Sequence, residues 1–124
     1  MGLFGGRKNA SDVPAEKAEK EIAPHLLKGE QVRVAFRMLR DLYVFTNWRL
    51  LVVNEAEAKG KIAEYVTIPY RAITSFSIET NGGFDVDSRL RLWITGRPEP
   101  MERTLKKGAN IQGIQYAISA SIAA

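Results

Sequence analysis

The densest chemical pattern in the chain is Asp85-x-Asp87, followed at the same spacing by Arg89 and Arg91. On a strand, a period of two puts all four on one side together with Trp93, the two carboxylates two residues' rise apart. A hard cation would need further oxygen ligands around such a pair, and no loop gathers them, so no metal is expected. Carboxylates in line with guanidinium groups read instead as charge pairing along or across a sheet. A second group is Arg33, Arg37, Arg40 and Arg49, whose forked donors suit phosphate and carboxylate oxygens. These four are the candidates for an anion or lipid-headgroup site. His25 is the sole histidine and has no acidic or cysteine partner in view, so it reads as structural. Gly5-Gly6 and Gly82-Gly83 are too short to cradle a phosphate and read as turns. No nucleophile elbow or base–orienter pair accompanies the serines. The sequence therefore holds no catalytic constellation, and neither enzyme activity nor a cofactor is expected.

Composition narrows the class further. The 124 residues are 45% hydrophobic and 26% charged, ordinary for one globular domain that buries roughly two-thirds of its extended surface. Without cysteine there is no disulfide framework and no thiolate metal site, which fits a cytoplasmic, reducing location. The apolar runs are far shorter than the ~20 residues that cross a bilayer, and no secretory leader is evident. A net charge of +4 is mild, and the basic residues are scattered rather than gathered into an aromatic-flanked stripe, so nucleic acid is not an expected partner.

The elements that position these residues follow from periodicity. Residues 1–10 are Gly-rich and aperiodic and are expected to form a flexible tail, with residues 11–124 as a single domain. Ser11 or Asp12 is expected to cap a helix over Val13–Lys28, in which Ala15, Ala18, Ile22 and Leu26 share a face and Pro24 kinks or divides it. Val32, Val34, Phe36 and Met38 then alternate as a half-buried first strand. The chain is organised around the hairpin Asp41–Asn54, whose arms Leu42–Phe45 and Leu50–Val53 are apolar at nearly every position and so require cover on both faces. Asn47 is the turn residue there that best tolerates a left-handed backbone.

Asn54–Gly60 reads as a polar loop, Lys61–Ile68 as a strand stopped by Pro69, and Ala72–Glu79 as a strand with Thr74, Phe76 and Ile78 on one face and Ile73, Ser75 and Ser77 on the other. After the turn Asn81-Gly82-Gly83, Phe84–Thr95 has the cleanest alternation in the chain. Val86, Ser88, Leu90, Leu92 and Ile94 line one face, opposite Asp85, Asp87, Arg89, Arg91 and Trp93. A reversal at Gly96–Pro100 leads into Met101–Lys106. Turn signals at this spacing favour an antiparallel barrel or orthogonal sandwich. The last helix carries Ile111, Ile114, Ile118 and Ile122 on one stripe, which must pack on something; the open mouth of the β shell is the expected place.

Seven antiparallel strands followed by one amphipathic helix is the order of a pleckstrin-homology-like barrel. The stretches DLYVFTNWRLLVV, EYVTIPYRAITSFSIET and GGFDVDSRLRLWITG, with the terminal helix, resemble the bacterial pleckstrin-homology domain family from about Ser11 to the C-terminus. The chain departs from that pattern in its Gly-rich start and at Asn54, where the resemblance leads one to expect an acidic residue. The resemblance implies a non-enzymatic protein without cofactor that assembles into a cyclic homo-oligomer, typically a pentamer. It further implies a hydrophilic surface, where strands of neighbouring protomers meet, that recruits a protein partner still unidentified. On that reading Asp85, Asp87, Arg89, Arg91 and Trp93, with Arg71, supply the oligomer or partner surface. The alternative is a peripheral membrane adaptor that uses Leu3, Phe4 and the arginines of the first hairpin on anionic lipid.

Overall fold

A computed structural model describes residues 11–55, 63–80 and 87–123. The order is β1 (Asp12–Val13), α1 (Ala15–Ile22), β2 (Val32–Met38), β3 (Asp41–Thr46), β4 (Arg49–Glu55), β5 (Ala63–Pro69), β6 (Ile73–Glu79), β7 (Ser88–Ile94), β8 (Met101–Leu105) and α2 (Ile111–Ala123). All the strand pairs are antiparallel, in a five-stranded sheet β1-β2-β3-β4-β5 and a three-stranded sheet β6-β7-β8. The 3₁₀ turn Tyr70–Ala72 joins the two sheets.

The β3–β4 hairpin is covered on both faces, as its composition requires. Tyr43, Phe45, Leu50 and Val52 face the main core between the sheets and α2. Leu42, Val44, Leu51 and Val53 face a second core built against Ala18 and Ile22 of α1. Each such side chain taken out of water contributes about 1.5–3 kcal/mol. The isoleucine ridge of α2 plugs the main core through Ile114 and Ile118, both fully buried, with Ile111 packed beside them and Ile122 left exposed.

The N-terminal helix is shorter than its sequence pattern. It ends at Ile22, and Ala23–His25 continue as a 3₁₀ turn with Pro24 at its start. Its first residue follows Pro14 rather than a Ser or Asp cap. Asp12 and Val13 extend instead as β1, paired with Phe36 and Ala35 of β2. Ser11 and Asp12 serve the far end of the chain. The Ser11 hydroxyl accepts from the Asn110 backbone N–H at 3.0 Å, and an Asp12 carboxylate oxygen accepts from Asn110 Nδ2 at 3.1 Å. Asn110 in turn caps α2, its Oδ1 accepting from Gly113 N–H at 2.9 Å. A Cβ on Gly113 would overlap the Asn110 amide, which accounts for glycine in the first turn of a helix that gains nothing from it in propensity.

Two bulges shift the alternation read from sequence. The β2–β3 register slips between Val32 and Val34, so Val34 packs on the main core while Val32 packs on the α1 side. The β6–β7 register slips between Ile73 and Ser75, so Ile73 joins Phe76 and Ile78 on the main core rather than facing away from them. One extra residue in a ladder reverses the facing of everything before it. The β3–β4 turn also differs: Asn47 does not take positive φ, and among non-glycine described residues Leu39, in the β2–β3 turn, does at 58°.

Candidate interaction surfaces

The outward face of β7 carries the residues singled out for contact between molecules. Arg89, Trp93 and Asp87 are exposed and Arg91 is half-buried, while Ser88, Leu90, Leu92 and Ile94 point into the core. Asp85, the turn Asn81-Gly82-Gly83 and the start of this strand at Phe84 lie outside the described residues, as does the tail with Leu3 and Phe4. Strand pairing places Arg91 between Ser77 of β6 and Glu102 of β8, and Arg89 between Glu79 and Thr104. Arg91 Nε lies 2.7 Å from Glu102 Oε2 and its Nη1 lies 3.6 Å from Glu79 Oε1. Asp87 accepts from the Lys107 backbone N–H at 3.0 Å and lies 3.5 Å from Lys106 Nζ. The charges therefore pair across the sheet within one chain. Trp93, 36% exposed, is the large apolar group on this face. Arg71 is exposed on the 3₁₀ turn Tyr70–Ala72, at the end of the sheet where Trp93 stands opposite Ser75.

The four arginines proposed for anions do not converge. Arg49 is committed to Glu30, a carboxylate in the buried interior. Its Nε donates to Glu30 Oε2 at 2.8 Å and its Nη2 to Oε1 at 2.9 Å. The same guanidinium donates to the His25 carbonyl at 2.7 Å and to Thr67 Oγ1 at 2.8 Å. Glu30 also accepts from Thr46 Oγ1 at 2.7 Å and from Leu27 N–H at 3.0 Å. With every lone pair answered, the carboxyl is held down to about 2, chiefly by the Arg49 hydrogen bonds against the opposing pull of burial. The Arg49 guanidinium is pushed up by the same partner. Arg37 lies 3.2 Å from Glu21 of α1 and 3.9 Å from Glu55. Arg40 is exposed in the β2–β3 turn, and Arg33 lines a groove beside α2.

Around Glu30 the β3–β4 turn clasps the segment that follows α1. Asn47 Oδ1 accepts from Gln31 N–H at 2.8 Å, and Asn47 Nδ2 donates to the Gly29 carbonyl at 3.2 Å. Gly29 has φ 87°, and a Cβ there would meet the Trp48 indole at 3.3 Å. His25 stacks on Tyr65 with ring centroids 3.9 Å apart, which gives the sole histidine a packing role.

A second polar cluster that spacing did not reveal ties the sheets together. Arg103 Nε of β8 donates to Asp41 Oδ2 at 3.0 Å, and its Nη2 donates to Asn54 Oδ1 at 3.1 Å. Asn54 also donates to Glu64 at 3.0 Å. An amide at position 54 both accepts and donates here, which a carboxylate does not. Among the described residues no cluster of three or more His, Asp or Glu side chains is arranged to hold a metal, and no helix is long and apolar enough to cross a membrane.

Two antiparallel sheets packed with a C-terminal helix define a PH-type fold. The family model described as "Bacterial PH domain" matches residues 4–122, and the chain belongs to that family. It is 42% identical over 120 residues to Uncharacterized protein YjqA of Bacillus subtilis (strain 168), covering 96% of this chain and 94% of the relative. The crystal structure of a pleckstrin homology domain from Shewanella amazonensis SB2B matches with TM-score 0.80 and 42% identity, over 93% of each chain. A DUF1696 family protein with a pleckstrin-homology domain from Shewanella loihica PV-4 matches with TM-score 0.78 and 40% identity, over 92% of this chain and 97% of that one.

Proposed function

We propose that the protein is a non-enzymatic PH-type scaffold that assembles into a cyclic homo-oligomer, a pentamer, and presents a hydrophilic surface to another protein. The observation that supports this reading is the β7 face, an exposed indole among guanidinium and carboxylate groups on a sheet whose strands β6 and β8 have no further strand beside them among the described residues. Edge strands with unmet backbone groups favour association, and mixed charges around an aromatic favour a specific partner over indiscriminate adhesion. Asp85, Asp87, Arg89, Arg91 and Trp93, with Arg71, form the contact surface. Repeating one weak site around a ring raises avidity by ~10²–10⁴ without new contacts.

Light scattering at tens of micromolar protein tests the ring. A mass several times the 13.8 kDa of one chain is expected, and a monomer removes the avidity mechanism. The membrane-adaptor reading, with Arg33, Arg37, Arg40 and Arg49 on anionic lipid, has less behind it, because Arg49 and Arg37 already face carboxylates. Sedimentation with phosphatidylglycerol vesicles separates the two. Salt-sensitive binding that fades in Arg37→Ala and Arg40→Ala favours the membrane, and absence of binding at low salt favours the scaffold.

A further inference from the structure

Beside α2, away from the β7 face, runs a groove of about 1030 Å³. Phe36 and Phe45 lie beneath it, each 2% exposed and edge to face with ring centroids 6.1 Å apart, and the half-buried Val34 and Tyr70 form its apolar wall. The helix contributes Gly113 and Ala117, residues too small to fill the space, while the Tyr116 ring stands 75% exposed at the rim.

The groove follows an open stretch of sheet edge. β1 pairs with β2 only at Phe36 and Ala35, and Pro14 then turns the chain into α1. From Val34 back to Val32, β2 has no strand on this side among the described residues. The bulge in the same stretch leaves Arg33 out of the β3 ladder. The Arg33 side chain is exposed at the groove and makes no ion pair among the described residues. An acyl chain would cover the apolar wall and leave that backbone edge unmatched. An extended peptide answers both, because its own N–H and C=O groups continue the sheet while alternate side chains enter the groove. The lone guanidinium adds a preference for an acidic side chain at one position.

We infer that this groove takes an extended peptide from a partner protein, laid beside Val32–Val34 as an added strand, with apolar side chains on Val34 and Tyr70 and a carboxylate on Arg33. The proposal is independent of the ring and of the β7 face.

The test pans a random-peptide phage library on the full chain and measures the most enriched peptide, fluorescently labelled, by anisotropy. Enriched sequences should alternate apolar residues and carry an Asp or Glu. Arg33→Glu should weaken binding about tenfold or more, which is the loss of roughly one charge-assisted contact. Ala120→Trp, placed at an exposed helix position that lines the groove, should abolish binding with the circular dichroism unchanged. Amide exchange at Val32 and Arg33 should slow on binding. Absence of enrichment overturns the proposal, as does binding insensitive to both substitutions or protection confined to other strands. So does a fall in the oligomer mass of Ala120→Trp, which would mean that a second copy of the chain occupies the groove, or displacement of the peptide by phosphatidylglycerol vesicles.

Discussion

The two sheets hold their charged residues in opposite surroundings. In the five-stranded sheet, β3 and β4 are buried on both faces, and the charges near them are drawn inward: Glu30 and Arg49 meet at 2.8 Å with the Glu30 side chain fully enclosed. In the three-stranded sheet one face is core and the other is open, and there Arg91 and Glu102 meet at the same kind of distance, 2.7 Å, with 28% and 48% of their side chains exposed. Equal geometry does not mean equal energy. Taking one member from an enclosed pair strands a charge without water, whereas an exposed member is simply rehydrated. The first sheet therefore depends on its ion pair for stability, whereas the second loses little when one of its charges is removed.

The largest expected effect tests the enclosed pair. Glu30→Ala or Arg49→Ala should lower unfolding stability by about 3–5 kcal/mol, measured by urea denaturation at neutral pH. Acid should reproduce part of that loss in the unmodified chain. The folded Glu30 carboxyl titrates near 2 against an ordinary value of 4.5, so the unfolded chain binds the proton first as pH falls. Its stabilisation is complete above about 4.5 and disappears as pH falls towards about 2. The stability gap between the unmodified chain and Glu30→Gln should narrow across that interval.

A smaller effect sharpens the contrast at the joint between the first sheet and the last helix. Helix propensity alone has Gly113→Ala gaining about 1 kcal/mol. Because a Cβ there strikes the amide that joins α2 to Asp12, a net loss of about 1–2 kcal/mol is expected in thermal or urea unfolding. The smallest change belongs to the open face. Arg91→Ala should alter stability by less than about 1 kcal/mol, and urea denaturation in low and high salt should show the difference shrinking as salt rises.

Much of this architecture was legible in the chain. The apolar arms Leu42–Phe45 and Leu50–Val53 demanded two covered faces, and two cores lie on them. Alternation along 88–94 placed Arg89, Arg91 and Trp93 outward, and the isoleucine stripe located the inner face of α2. What failed were features that depend on residues distant in sequence. A bulge is set by how a strand meets its partner, so Val32 and Ile73 were assigned to the wrong faces by simple parity. Ser11 and Asp12 look like caps for the helix beside them, yet their partner is Asn110, 98 or 99 residues away. Arg49 looked free to bind an anion, but the carboxylate that holds it is Glu30, brought close by the β3–β4 turn. Asp41 and Arg103, 62 residues apart, carry no local signal that could have joined them.

The most direct measurement pairs light scattering with urea denaturation on Trp93→Glu. The oligomer mass is expected to drop to that of one chain, while the β-type circular dichroism and the unfolding midpoint at matched low concentration stay where they were. An unchanged mass would place the contact between copies somewhere other than β7, and a collapsed midpoint would make Trp93 part of the core rather than of a surface.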